Sequence, residues 1–325
     1  MSALHPISRE ILASWQVRKS RAQKEVFRAF VTEELAKAGY QAKTEEARMV
    51  VKTRNLVIGA PDTARVIFTA HYDTCAVLPV PNFITPLCLP VYLLYQLFLT
   101  ALILGLAALV AWVPMLLGAP PVAYALTLLV CCYALLGLIL AGPACRHTAN
   151  DNTSGVIAVL ETALALPEEL RASTAFVLFD LEEAGLFGSA AFARAHPGVK
   201  KNTLVVNLDC VSDGSELLLV LPKGLPAEAE EAIRASYVDQ KDKTFLFVPG
   251  KKALYPSDQA NFRRGVACAA MRKTKRGLLY VSRLHTVRDV IFEQENIFAY
   301  ARGNAALAGR MAGQPASPRA TECAG

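Results

Sequence analysis

From Thr74 through Cys145 the chain carries no Asp, Glu, Lys, Arg or His. No other feature limits the fold so sharply. Within this run, Val91–Val113 is interrupted only by Gln96, Thr100 and Gly105, and Val122–Ala141 is nearly as apolar, with Pro120-Pro121 between them. A bilayer core requires about 20 apolar residues per helix, so each segment is long enough to cross one. The prolines at 86, 90, 114, 120 and 121 sit at segment ends, where they interrupt a helix least. Tyr92, Tyr95, Trp112 and Tyr124 lie where interfacial aromatics belong. The expected organisation is a transmembrane α-hairpin over 78–145 inserted into a body made of 1–77 and 146–312, with a flexible Pro/Ser/Ala-rich tail at 313–325. The competing expectation is a greasy hairpin buried inside the globule or an oligomer.

Composition supports this division. Apolar residues make up 53% of the chain and charged residues 19%, below the roughly 25% charge of ordinary soluble domains. All the charge lies outside the hairpin, so the body itself has a soluble composition. The net charge of +6 is not gathered into the aromatic-interleaved patch of a nucleic-acid binder, and no nucleic-acid partner is expected. Arg18, Lys19, Arg21, Lys24 and Arg28 mix with glutamates on an N-terminal helix, expected as a solvated face or a lipid-headgroup contact. The eight cysteines form no CxxC pair and read as reduced, buried residues. The polar N-terminus lacks the apolar core of a signal peptide. Two spans return the chain to one side, and the charge-free connecting turn puts the body with Arg146 and the basic N-terminal helix. The positive-inside rule then makes this an integral protein of a bacterial-type plasma membrane, its body cytoplasmic.

Periodicity in the body alternates strands and helices. A helix is expected over Ser8–Gly39, strands over Met49–Ile58 and Arg65–Ala70, then a helix over Ser154–Leu166. Strands follow at Thr174–Leu181, Leu204–Leu208, Glu216–Leu221 and Gly265–Met271, with helices at Leu186–Ala195, Pro226–Val238, around Asn261–Arg264, and Glu293–Met311. This is an α/β pattern with chemistry-bearing residues at strand ends.

Those residues form an ordered set. His71-Tyr72-Asp73 ends one strand; side chains two apart share a face, so Asp73 can hold His71 in one tautomer. Asp151 lies in Asn150-Asp151-Asn152-Thr153-Ser154-Gly155 at a helix start, where an ordinary N-cap is the plainer reading. Glu182-Glu183 ends an apolar strand, Asp209 closes Asn207-Leu208-Asp209, and His285-Thr286 is followed by Asp289. One carboxylate able to bridge, two imidazoles, two further carboxylates and a spare glutamate make up the inventory of a two-zinc hydrolase.

At these residues the chain resembles the zinc aminopeptidase family of bacterial leucyl aminopeptidase, aminopeptidase Y and glutamate carboxypeptidase II, over roughly 10–73 and 146–312. Arg54-Asn55 and Ser257-Asp258 look like family landmarks too, while Gln259 stands where many relatives carry His. The resemblance implies a mixed, mostly parallel β-sheet with helices on both faces. It implies two Zn2+ (or Co2+ or Mn2+): Asp151 bridging, His71 and Asp209 completing one site, Glu183 and His285 the other. Asp73 would orient His71, and Glu182 would act as general base toward a hydroxide shared by the metals. A cis peptide after the bridging Asp is also implied. The implied activity is hydrolysis of the first peptide bond of a peptide or protein N-terminus. Because the hairpin lies between His71 and Asp151, membrane-associated substrates at the lipid bilayer surface are expected. The alternatives are a glutaminyl-cyclase-like acyltransferase with one zinc, and an inactive scaffold or receptor on the same fold.

Overall fold

A computed structural model describes residues 3–240 and 242–313. The expected tail therefore lies, from 314 on, outside the described residues. In chain order the main elements are α1 (Pro6–Ser14), α2 (Arg21–Lys37), β1 (Ala42–Arg48), β2 (Lys52–Ile58), β3 (Val66–His71) and β4 (Asn82–Ile84). Next come α3 (Leu89–Leu116), α4 (Pro121–Ala141), α5 (Gly155–Ala165), β5 (Thr174–Phe179), α6 (Phe187–Ala195), α7 (Pro197–Asn202) and β6 (Leu204–Leu208). The chain closes with β7 (Glu216–Leu221), α8 (Ala227–Ser236), β8 (Thr244–Pro249), β9 (Gly265–Lys273), β10 (Leu279–Leu284) and α9 (Gln294–Met311).

Among the described residues, ten strands form one mixed sheet in the order β1-β2-β5-β3-β6-β9-β10-β4, with β7 and β8 branching from β9. Its centre, β5-β3-β6-β9, is parallel, and antiparallel pairs flank it. The central strands are continuous apolar runs because both faces are covered. Their side chains alternate between two cores. Phe68, Phe176, Leu178 and Val206 face α1, α2, α5 and α9. Ile67, Val177, Phe179 and Val205 face Phe192, Val199 and Phe262 on the side of α6 and α7. Helix α5 is buried from Gly155 to Ala163, which explains why its sequence is apolar all round.

The N-terminal region departs from expectation. Instead of one helix, α1 and α2 are separated, because Ser20 starts α2 anew with a capping box to Gln23. The link between them packs against the chain just past the end of β3 and the turn before α5. Arg18 has no exposure, and Lys24 and Arg28 are also buried, so three of the five expected surface cations face inward. Lys24 Nζ reaches Asp180 Oδ1 at 2.6 Å, and Arg28 donates to the Tyr72 hydroxyl at 2.6 Å. Residues 258–261 form a single 3-10 turn rather than part of a helix, and Phe262–Arg264 turn into β9.

Helices α3 and α4 pair with each other, and their side chains point outward. Of the window most able to cross a membrane, 11% is buried in α3 and none in α4, so a hairpin packed inside the globule is ruled out. The mean hydropathy of those windows is 2.3 and 2.4. The only buried residues are Ala107 and Ala111, spaced four apart at the helix–helix seam as small residues are in membrane pairs. The base of the hairpin belongs to the body. Residues 82–84, expected within the insert, are instead strand β4 on β10. The entering and leaving chains pair at Ala76 and Ala144.

Candidate functional site

The site lies at the carboxyl ends of the parallel strands, where open α/β sheets place their ligands. Strand β3 ends in His71, β5 leads to Glu182-Glu183, and β6 leads to Asp209. The joints are bent: Leu181 before the glutamates, Cys210 after Asp209, Arg283 near the end of β10 and His285 just beyond it all have left-handed backbone with φ between 57° and 73°. Non-glycine residues adopt that region at a cost and cluster at functional sites.

Around Asp151 the short motif has a clear division of labour. Asn150 Oδ1 accepts the amides of Ser212 (2.8 Å) and Asp213 (3.1 Å). Asn152 Oδ1 accepts those of Gly155 (3.0 Å) and Cys210 (3.2 Å), and its Nδ2 donates to the Leu208 carbonyl at 3.0 Å. Ser154 Oγ accepts from Val211 at 3.0 Å. These flanking residues lock the loop that carries Asp209 onto the start of α5. Gly155 permits the close approach, since a Cβ there would sit 2.2 Å from the Leu208 carbonyl oxygen. Asp151 itself caps nothing, so the plain N-cap reading fails. The Asp151–Asn152 peptide bond is cis. Asp289 grips the same turn, its two oxygens accepting the amides of Asn150 and Asp151 at 2.9 Å each.

The carboxylate of Asp151 is thereby aimed between two imidazoles. Its Oδ1 lies 3.4 Å from His71 Nε2 and its Oδ2 lies 3.1 Å from His285 Nε2. Asp209 Oδ1 is 3.7 Å from His71 Nε2, and Glu183 Oε2 is 3.3 Å from His285 Nε2. All five residues singled out as ligands therefore converge. Asp73 is nearby but does not hold His71 as expected: at 3.6 Å from Nδ1 it is beyond a hydrogen bond. Its oxygens instead accept the amides of Glu182 (3.0 Å) and Glu183 (3.2 Å), fixing the backbone from which both glutamates project. Glu182, Glu183 and His71 also offer donor atoms within 4.8 Å of one another.

The electrostatics of the cluster suit a bound cation. Burial raises the Glu183 carboxyl to about 8 despite His285. Burial also pushes Glu182 well above the usual range, reinforced by Glu183, Asp258 and Asp209 and opposed by His71. Burial works against a charged His285, yet Glu183 and Asp151 outweigh it and raise the imidazole to about 9. Burial would likewise raise Asp151, but the two imidazoles hold it below the ordinary carboxylate range. Buried carboxylates without cations are costly. The Glu183 Oε1 and His71 Nδ1 atoms are buried with no hydrogen-bond partner. Carboxylate and imidazole donors aimed at a common space suit divalent zinc, so the residues fit such a centre.

Several further side chains support this arrangement. Arg18 donates through its amide to Thr74 Oγ1 (2.8 Å), through Nε to the Tyr72 carbonyl (2.5 Å) and through a guanidinium nitrogen to Thr153 Oγ1 (3.2 Å). It thus ties the strand end of His71 to the turn of Asp151; nothing local distinguishes it from its basic neighbours. Asp258 is fully buried with both oxygens unpartnered, and burial lifts it to about 7. Asn207 anchors that loop, donating to Ser257 Oγ (3.0 Å) and Gln259 Oε1 (3.3 Å). Leu78 at the hairpin entrance donates to the His285 carbonyl at 2.7 Å, so the insert is fastened directly to a site residue.

Comparison with known proteins agrees with this architecture. The structure is similar to the LapA aminopeptidase of Legionella pneumophila (TM-score 0.55, 13% identity, covering 94% of this chain and 68% of that one). It is similar to LapB of the same organism (0.53, 14%, 94% and 70%). It is also similar to the glutaminyl cyclase of Porphyromonas gingivalis (0.54, 15%, 94% and 95%). No curated protein matches the sequence. Residues 134–304, more than half of the chain, match the profile of peptidase family M28 and contain Asp151, Glu182, Glu183, Asp209 and His285. This chain belongs to peptidase family M28.

Proposed function

We propose that the chain is a membrane-anchored aminopeptidase whose peptide hydrolysis depends on two metal ions, zinc in the first instance. One observation carries this reading: the two oxygens of Asp151 face two different imidazoles, each accompanied by a further carboxylate. His71, Asp151 and Asp209 would hold one ion, and His285, Asp151 and Glu183 the other. Bound there, the pair supplies Lewis acidity and lowers the pKa of a water from about 15.7 to near 7. Glu182 takes a proton from the attacking water and hands it to the departing amine. Asp73 and Asp289 set the backbones from which Glu182, Glu183 and Asp151 act. Hydrolysis of aminoacyl amides by detergent-purified protein tests the activity, and no release of N-terminal residues from any of a panel of short peptides would refute it.

The hairpin, 78–145 apart from β4, spans the bilayer in this reading, with the body 1–77 and 146–312 on the cytoplasmic face. Outward-facing apolar helices and the link from Leu78 to His285 support it. A site this close to the lipid favours peptides or protein termini held at the interface. Activity on a lipopeptide in vesicles should exceed that on its soluble counterpart, and equal rates would reduce the hairpin to an anchor. A glutaminyl-cyclase-like reaction is the second reading, favoured by coverage of 95% of the Porphyromonas enzyme. Ammonia released from N-terminal glutaminyl peptides without hydrolysis would select it; convergence of both His71 and Asp209 on Asp151 favours hydrolysis.

Metal loading should be strongly pH-dependent. The His285–Glu183 pair, 3.3 Å apart with both groups shifted upward in the metal-free protein, retains a proton at neutral pH that a metal must displace. Zinc binding at pH 7 should therefore release protons, with apparent affinity rising as pH climbs toward 9. Calorimetry in buffers of different ionisation enthalpy measures this, and no proton release would contradict it. Asp289→Asn should keep the fold but weaken zinc binding about 10–100-fold, as loss of an outer carboxylate does. Unchanged zinc affinity would show that the turn of Asp151 holds its geometry without it.

A further inference from the structure

We propose that Cys75 is a metal ligand, its thiolate joining Glu183 and His285 around the ion on that side of Asp151. The inference rests on the two-metal reading above. It begins from a grouping absent from the ordered set of motifs. Cys75 lies two residues beyond Asp73 and is 2% exposed. Its Sγ, a carboxylate oxygen of Glu183 and a ring nitrogen of His285 lie within 4.8 Å of one another, a limit that the His71, Asp151 and Asp209 donors on the other side also meet. Asp151 thus belongs with His71 and Asp209 to a cluster of nitrogen and oxygen donors on one side and contacts His285 of a sulfur-containing cluster on the other. The buried Glu183 Oε1 has no hydrogen-bond partner, so this half has an unmet demand for a cation.

The position of the thiol is set by the hairpin. Cys75 accepts the amide of Cys145 at 3.1 Å through its carbonyl, and the neighbouring Ala76 and Ala144 form a bridge. Cys145, directly opposite, turns its own sulfur toward the carbonyls of His147 (3.0 Å) and Thr286 (3.3 Å). Of the two thiols at the hairpin base, only Cys75 belongs to the metal-competent group. On binding, the Cys75 S–H bond is replaced by a sulfur–metal bond and the proton leaves to solvent. A soft thiolate makes that half selective for zinc over manganese or magnesium, which prefer oxygen donors. The two halves therefore differ in metal preference, and the one with sulfur is the half fastened to the membrane insert.

Zinc K-edge X-ray absorption on the full-length protein in detergent, loaded with two equivalents of zinc, tests the assignment. A sulfur shell at about 2.3 Å is expected beside nitrogen and oxygen at about 2.0–2.1 Å. Cys75→Ser should abolish that shell, and Cys145→Ser should leave it intact. Cobalt substitution gives a second readout, a thiolate-to-cobalt charge-transfer band in the near ultraviolet that Cys75→Ser removes. Wild-type protein holding two zinc ions with only nitrogen and oxygen neighbours overturns the thiolate assignment and leaves the two-metal reading intact. Protein that takes up no zinc overturns both. A sulfur shell that survives Cys75→Ser but not Cys145→Ser overturns the choice of cysteine.

Discussion

Replacing Glu182 by Gln should lower kcat by about 10²–10⁴-fold, the usual contribution of a positioned general base, while leaving metal content unchanged. The exchange keeps the shape of the side chain and the amide of residue 182 that Asp73 accepts. It removes only the ability to take and return a proton. KM should change little, because the loss falls on the transition state rather than on ground-state binding. The acidic limb of the pH–rate profile should also flatten. Undiminished turnover in a metal-loaded Glu182→Gln protein would remove Glu182 from this role. Glu183 would be the next residue to test, although its carboxylate faces His285 at 3.3 Å.

Asp151→Ala should act earlier in the chain of causes. Both clusters share this carboxylate, so its loss should empty both halves and reduce hydrolysis to background. The remaining carboxylates and imidazoles could no longer be held on opposite sides of one anion. Asp151→Asn is the stricter test, since it preserves volume and leaves the amide bonded to Asp289. Elemental analysis and activity of both variants decide the matter; full metal occupancy in either would contradict a bridging role.

Much of this was legible from the sequence because the site is built at the ends of continuous apolar strands. β3, β5 and β6 read as buried runs; His71 ends β3, Asp209 follows β6 directly, and Glu182 comes three residues after β5. The polar neighbours of Asp151 were visible as a motif, but their task was not. Only the fold shows that Asn150, Asn152 and Ser154 bind the loop after β6. Less regular elements escaped notice. Strand β1, Ala42–Arg48, is a charged, mostly exposed edge strand that lacks a strong alternation signal. Strand β4 is three residues long and sits inside an uncharged run, so hydropathy assigned it to the insert. The buried state of Arg18, Lys24 and Arg28 depends on partners such as Thr153 and Asp180, more than a hundred residues away. Cys75 was hidden for a similar reason: a thiol becomes a candidate ligand only once the hairpin base sets it beside Glu183 and His285.

The most direct measurement is anomalous diffraction at the zinc edge from crystals of the full-length protein. Two peaks are expected, about 3.5–4 Å apart as in other two-metal hydrolases, one on each side of the Asp151 carboxylate. One would lie beside His71 and Asp209 and the other beside His285 and Glu183. A single peak, or two peaks that do not share Asp151, would contradict the proposed two-metal centre.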